Sequence, residues 1–259
     1  MLVTPMKEPN VDWLSYRLQC SPTVRFENPP PVEKDTQDFQ LLLRDGIATF
    51  HFKKHYSHLE EAQGAIAPFL RAWEIHFGLT TRPGEIRFVY EHAQITDREP
   101  VHPGAKQLVG VRGRAVLVKR GKCGTITVSR SAYPDPPTRF HVDPTVETLW
   151  HRYEGYVAGH EPLPSMAYFC LTVLEYQAKN REAAAKQYAI DLKVLKKLGG
   201  LTAKGDPMTA RKVTGTLVPH TPQQLEWIVA VVKVIIRRAA EVSAGASLTQ
   251  VTMSDLPPC

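Results

Sequence analysis

The chain has 259 residues, 43% hydrophobic and 22% charged, a balance that supports a buried core and excludes a disordered or fibrous polypeptide. Its net charge of +6 permits an anionic partner. The longest apolar run, 227–236, is broken by Lys233 and followed by Arg237 and Arg238, so no membrane span is expected.

Over 1–28 the pattern predicts a weak strand or strand pair around Trp13, Tyr16 and Leu18, closed by prolines at 29–31 that lack amide donors. Residues 39–43 and 47–52 flank Asp45-Gly46, a strong hairpin signal. A helix is expected over 57–77. Ser57 and Glu60 have capping-box spacing, Leu59, Ala62, Ile66, Leu70 and Trp73 recur at helical period, and Gly78 reads as a stop. Strands are expected over 85–90, 107–118 and 125–129, the last two joined through the 121–124 segment.

The proline-rich stretch 132–144 reads as a domain boundary. Beyond it helices are expected near 146–157, 165–178, 181–188, 192–198 and 222–242, with Thr221 capping the last ahead of Pro222. The pattern predicts an α+β fold. An antiparallel β-rich domain with one long helix covers 1–135, an all-helical domain covers 141–243, and a flexible tail covers 244–259.

Four cysteines, Cys20, Cys123, Cys170 and Cys259, lie far apart without a CxxC pair, which argues against a zinc ribbon or a disulfide framework. With no apolar leader at the N-terminus, the reading is a cytoplasmic protein without metal or cofactor. His51, His55 and His58 have ligand-like spacing, yet a strand end and a helix cap separate them. Glycines at 110–113 and 121–124 lack the phosphate-loop spacing.

Positive charge concentrates in two places. Residues 104–131 carry seven basic side chains and no acid, and Arg112, Arg114 and Lys119 could line one face of a strand pair and meet phosphates. The second is 181–200, which reads as helix, tight break, helix. Ala185, Ala189, Ile190 and Leu195 have helix-turn-helix spacing, and Asp191 can cap the second helix. Lys193, Lys196 and Lys197 would then face phosphate. The turn position holds Ala rather than Gly, and the second helix offers only lysines, which do not read base edges.

The order of helices, the Ala210-Arg211-Lys212 segment and the ending Thr221-Pro222-x-x-x-x-Trp227 resemble the HEPN superfamily of small helical domains found in bacterial RNases, toxins and defence proteins. The resemblance covers about 141–243. It implies a helical bundle, RNA or a protein as partner, a homodimer, and a role in defence or a toxin-antitoxin pair. In that family an Arg-x4-His motif cuts RNA without metal. Arg211 matches its arginine, but position 216 is Thr216 and His220 lies nine residues on, so the implied protein binds through Arg211, Lys212 and His220 and does not cleave. Literal matches at Arg71–His76 and Arg87–His92 fall in the N-terminal domain. Two other functions fit the residues: a helix-turn-helix DNA-binding regulator, and a non-enzymatic interaction scaffold.

Overall fold

The computed structural model describes residues 8–98, 109–112, 127–203 and 219–259, and of 109–112 the backbone. Arg114, Lys119, Arg211 and Lys212, the 121–124 segment and most of the strand expected over 107–118 lie outside the described residues. The architecture is α+β, and the chain divides into two compact units, Met1–Pro136 and Pro137–Cys259.

In the first unit a six-stranded antiparallel sheet has the order β3-β4-β5-β1-β6-β7. Its strands are β1 (Pro9–Cys20), β3 (Val32–Asp35), β4 (Phe39–Arg44), β5 (Ile47–Phe52), β6 (Ile86–Asp97) and β7 (Val109–Arg112). Two short strands, β2 (Val24–Phe26) and β8 (Val128–Arg130), pair in parallel outside that sheet. The weak strand expected near the N-terminus is instead a twelve-residue strand between β5 and β6. Against β6 its register shifts at Val11/Trp13, where Asp12 is the extra residue and breaks the alternation, which is why its length is hard to read. Strand β3 was masked by the prolines before it; at a sheet edge their missing donors are tolerated. The expected partner of 125–129 was the neighbouring strand, whereas β8 pairs with β2.

Helix α1 (Leu59–Thr80) packs on one face of this sheet, placing Ile66, Leu70, Trp73 and Phe77 against Leu14, Tyr16, Leu41 and Phe50. Phe39, Phe50 and Phe69 meet edge to face at 5.2–6.0 Å, and such pairs add about 0.5–1.5 kcal/mol each beyond burial. The expected Ser57 capping box does not form. The N-cap is His58, without a side-chain cap, and the helix continues through Gly78 to Thr80 because Gly78 and Leu79 are buried core positions.

The second unit holds α2 (Pro144–Val157), α3 (Leu163–Ala178), α4 (Arg181–Gln187), α5 (Leu192–Thr202) and α6 (Pro222–Ser243). Four of the five start on side-chain acceptors, and α3 starts on Pro162 without one. Asp143 accepts from the Val146 amide, Asn180 from Ala183 and Asp191 from Lys193, all at 2.8–2.9 Å, and Thr221 forms a full capping box with Gln224. Helix α2 runs against α3, with Gln177 reaching Thr145 and the Arg152 guanidinium 4.3 Å over Phe169. It also runs against α6, where the His141 amide donates to the Ala240 carbonyl and Lys233 lies over Tyr153.

The tail expected to be flexible over 244–259 is docked. Gly245, at φ +65°, ends α6 in a Schellman motif and turns the chain back. Val251 then bridges to Ile190, Leu256 is buried, and Arg238 donates to the Thr249 carbonyl. Its polar composition conceals this because most of the attachment uses backbone groups.

Candidate nucleic-acid interface

The break between α4 and α5 is a tight, fully bonded turn. The Ala189 amide donates to the Lys186 carbonyl and the Ile190 amide to the Ala185 carbonyl, the bond pair of a Schellman motif. That motif requires a left-handed residue, and Ala189 takes it at φ +48°. For a side chain with a Cβ this costs roughly 1–2 kcal/mol. Burial of Ala184, Ala185, Tyr188, Ile190, Val194, Leu195 and Leu198 holds the two helices and α3 together around it.

With its apolar stripe inward, α5 turns Lys193, Lys196 and Gly200 outward, and all three are exposed. Lys197 departs from the expected phosphate-facing role. It is half-buried, with Nζ 5.0 Å over the Trp227 ring and 3.2 Å from the Cys259 carbonyl oxygen it donates to. One residue beyond Lys196, it points to the flank of the helix rather than its outer face.

The paired glycines at 199–200 are not a stop, since α5 continues to Thr202. Gly199 leaves room for Arg181: a Cβ there would meet the Arg181 Nη1 at 2.9 Å. The same guanidinium is paired with Glu175, so Arg181 ties the end of α3 and the start of α4 to α5.

These three elements border an open cleft of about 600 Å³ lined by Tyr176, Lys179, Asn180, Arg181, Glu182 and Lys196, among others. Tyr176 is 83% exposed, and Lys179 caps α3 from the left-handed region at φ +77°. Sequence reading missed both. An aromatic two residues beyond buried Leu174 falls off the apolar face of α3, and that signal was available. The cleft lining carries three basic side chains, Lys179, Arg181 and Lys196, against Glu175 and Glu182, a small positive excess.

Of the other expected contacts, His220 and the backbone of Arg112 are among the described residues. His220 Nε2 lies 2.9 Å from the Leu201 carbonyl, so the ring closes the C-terminal end of α5. Arg112 stands in β7 opposite His92, in the other unit. Of the three spaced histidines, His51 is in β5, His55 lies beside the Pro9 carbonyl and His58 begins α1. Arg71 is ion-paired with Glu74, and His92 packs on Trp13 at 5.4 Å.

The first unit has its own cleft of about 450 Å³, lined in part by Tyr16, Gln63, Arg71, Glu74, Phe88 and Tyr90. Burial pushes the Glu74 pKa up against the Phe88 amide it accepts from, and pushes the Tyr16 hydroxyl up to about 12. Among the described residues the two charged groups lining this cleft, Arg71 and Glu74, are paired with each other.

Among the described residues no helix is long and apolar enough to cross a membrane. No protein-family model, curated protein or solved structure matches this chain.

Proposed function

We propose that the chain binds duplex DNA through α4, the turn and α5, with α5 in the major groove and Lys179, Lys193 and Lys196 on phosphates. The observation that carries this reading is the Ala189 turn, an Ala held left-handed between two short helices whose second member presents an exposed lysine face. Lysines neutralise phosphate without reading bases, so the binding has little sequence preference and weakens steeply with salt. Tyr176 adds a hydroxyl beside Lys179 and Lys196. A DNA partner carries with it the cytoplasm as compartment.

The HEPN-like reading, with RNA as partner, rests on Arg211 and Lys212, outside the described residues, and on His220, whose ring is engaged by Leu201. The antiparallel pairs that α2 makes are common to helical bundles of many kinds. The local geometry of α4 and α5 therefore favours DNA.

Fluorescence anisotropy with labelled duplex DNA and labelled RNA of the same length separates these readings. Lys193→Glu with Lys196→Glu should weaken duplex binding at least about tenfold and lower the salt slope by about 2. RNA bound in preference to duplex, and lost in Arg211→Ala, would replace the DNA reading with the HEPN-like one.

A further inference from the structure

The segment 249–259 lies along α5, and its attachment points describe a path. The Asp191 amide, at the start of α5, donates to the Val251 carbonyl at 2.8 Å, and the Val251 amide donates to the Ala189 carbonyl at 2.8 Å. Farther along, Lys197 donates to the Cys259 carbonyl. From Asp191 to Lys197 is about 9 Å of helix axis, so the segment accompanies the first two turns of α5. A short 3-10 turn at Met253–Asp255, capped by Thr252, and buried Leu256 anchor it between these ends.

Those two turns are the part of a recognition helix that reaches deepest into DNA. The major groove is about 12 Å wide and a helix with its side chains is about 10–12 Å across. A helix of that width fills the groove, so a chain segment packed alongside it leaves no room for both. The segment also has the wrong charge for a phosphate contact. Residues 249–259 contain no Lys or Arg and one acidic side chain, Asp255. Hydrogen bonds from the Thr252 amide and hydroxyl hold that carboxyl below its usual pKa, so it stays charged. Lys197 is meanwhile kept on Trp227 and on the segment's own carbonyl.

We infer that 249–259 is an autoinhibitory strap that must leave α5 before the helix seats in DNA, releasing Lys197 to a phosphate as it goes. The inference rests on the DNA reading above.

The test compares three proteins by anisotropy on a fluorescein-labelled duplex of mixed sequence across a salt series: the full chain, a chain ending at Leu248, and Val251→Pro. The last removes the amide that donates to Ala189 while leaving Leu256 in place. Circular dichroism and thermal melting check that each is folded. Both altered proteins should bind about tenfold tighter than the full chain, with a salt slope steeper by about one phosphate contact. In the unaltered chain, added duplex should speed amide exchange at Val251. That readout keeps the test decisive if the shortened chain fails to fold. Equal binding by all three proteins would overturn the strap and leave the DNA reading standing. Weaker binding by folded variants would make the segment a brace rather than an inhibitor, and would overturn the strap as well. Absence of duplex binding in every protein would remove the DNA reading and the strap with it.

Discussion

Two chain reversals, one in each unit, solve the same steric problem with opposite resources. At the β4–β5 hairpin, Asp45 and Gly46 take φ +51° and +74°, and both residue types enter that region readily. Between α4 and α5 the left-handed position is Ala189, whose Cβ opposes it. The hairpin is therefore announced by its own two residues. The helical turn is imposed by its surroundings: Ile190 is fully buried beneath it, and the backbone of Val251 bonds to both sides of it. A turn held from outside depends on whatever holds it, and the 249–259 segment is one of its holders.

Substitutions at the two turns can break or sharpen this contrast. The largest effect is expected at Ile190→Ala, which removes the buried side chain under the helical turn and should destabilise the second unit by about 2–4 kcal/mol in urea unfolding. Gly46→Ala keeps the hairpin but forces a Cβ into the left-handed region, and a loss of about 1–2 kcal/mol is expected in the first unit. If Gly46→Ala cost almost nothing, the hairpin too would be held from outside and the contrast would fail.

Tyr133→Phe examines the tertiary help the hairpin does receive, because the Gly46 amide donates to the Tyr133 hydroxyl at 2.8 Å. Its loss should lower stability by about 1 kcal/mol. Ala189→Gly removes the steric conflict at the helical turn and should raise stability by about 1 kcal/mol, read as a higher melting temperature. No gain there would mean that the neighbours, rather than Ala189 itself, carry the strain.

Much of the chain's organisation was legible. Asp45-Gly46 with flanking alternation located one hairpin, and Thr221-Pro222 located the start of α6, because capping and turn chemistry act over a few residues. The spacing of Ala185, Ala189, Ile190 and Leu195 located the helix pair, since all but Ala189 are its inward positions. Other features resisted. Strand β1 carries an extra residue, Asp12, that only its pairing with β6 reveals. Gly78 resembled a stop but lies in the core inside α1, and α5 runs on past the expected end at 198 through Gly199, which sits beneath the Arg181 guanidinium. At the candidate interface, Lys193 and Lys196 were readable from the helical period, whereas Tyr176 and Lys179 join them only across the fold.

By itself the sequence determined what short-range chemistry controls: an α+β order of elements, the helix caps, the hairpin and a basic helix pair. Tertiary structure alone decided which lysines remain available. Lys193 and Lys196 are open and Lys197 is engaged, although 196 and 197 are adjacent in sequence, because consecutive helical positions differ by about 100° and only packed neighbours say what lies in each direction. The docked tail was decided in the same way. Its grip on Ala189 and Asp191 uses backbone amides and carbonyls, which every residue but proline carries and no side-chain pattern reveals.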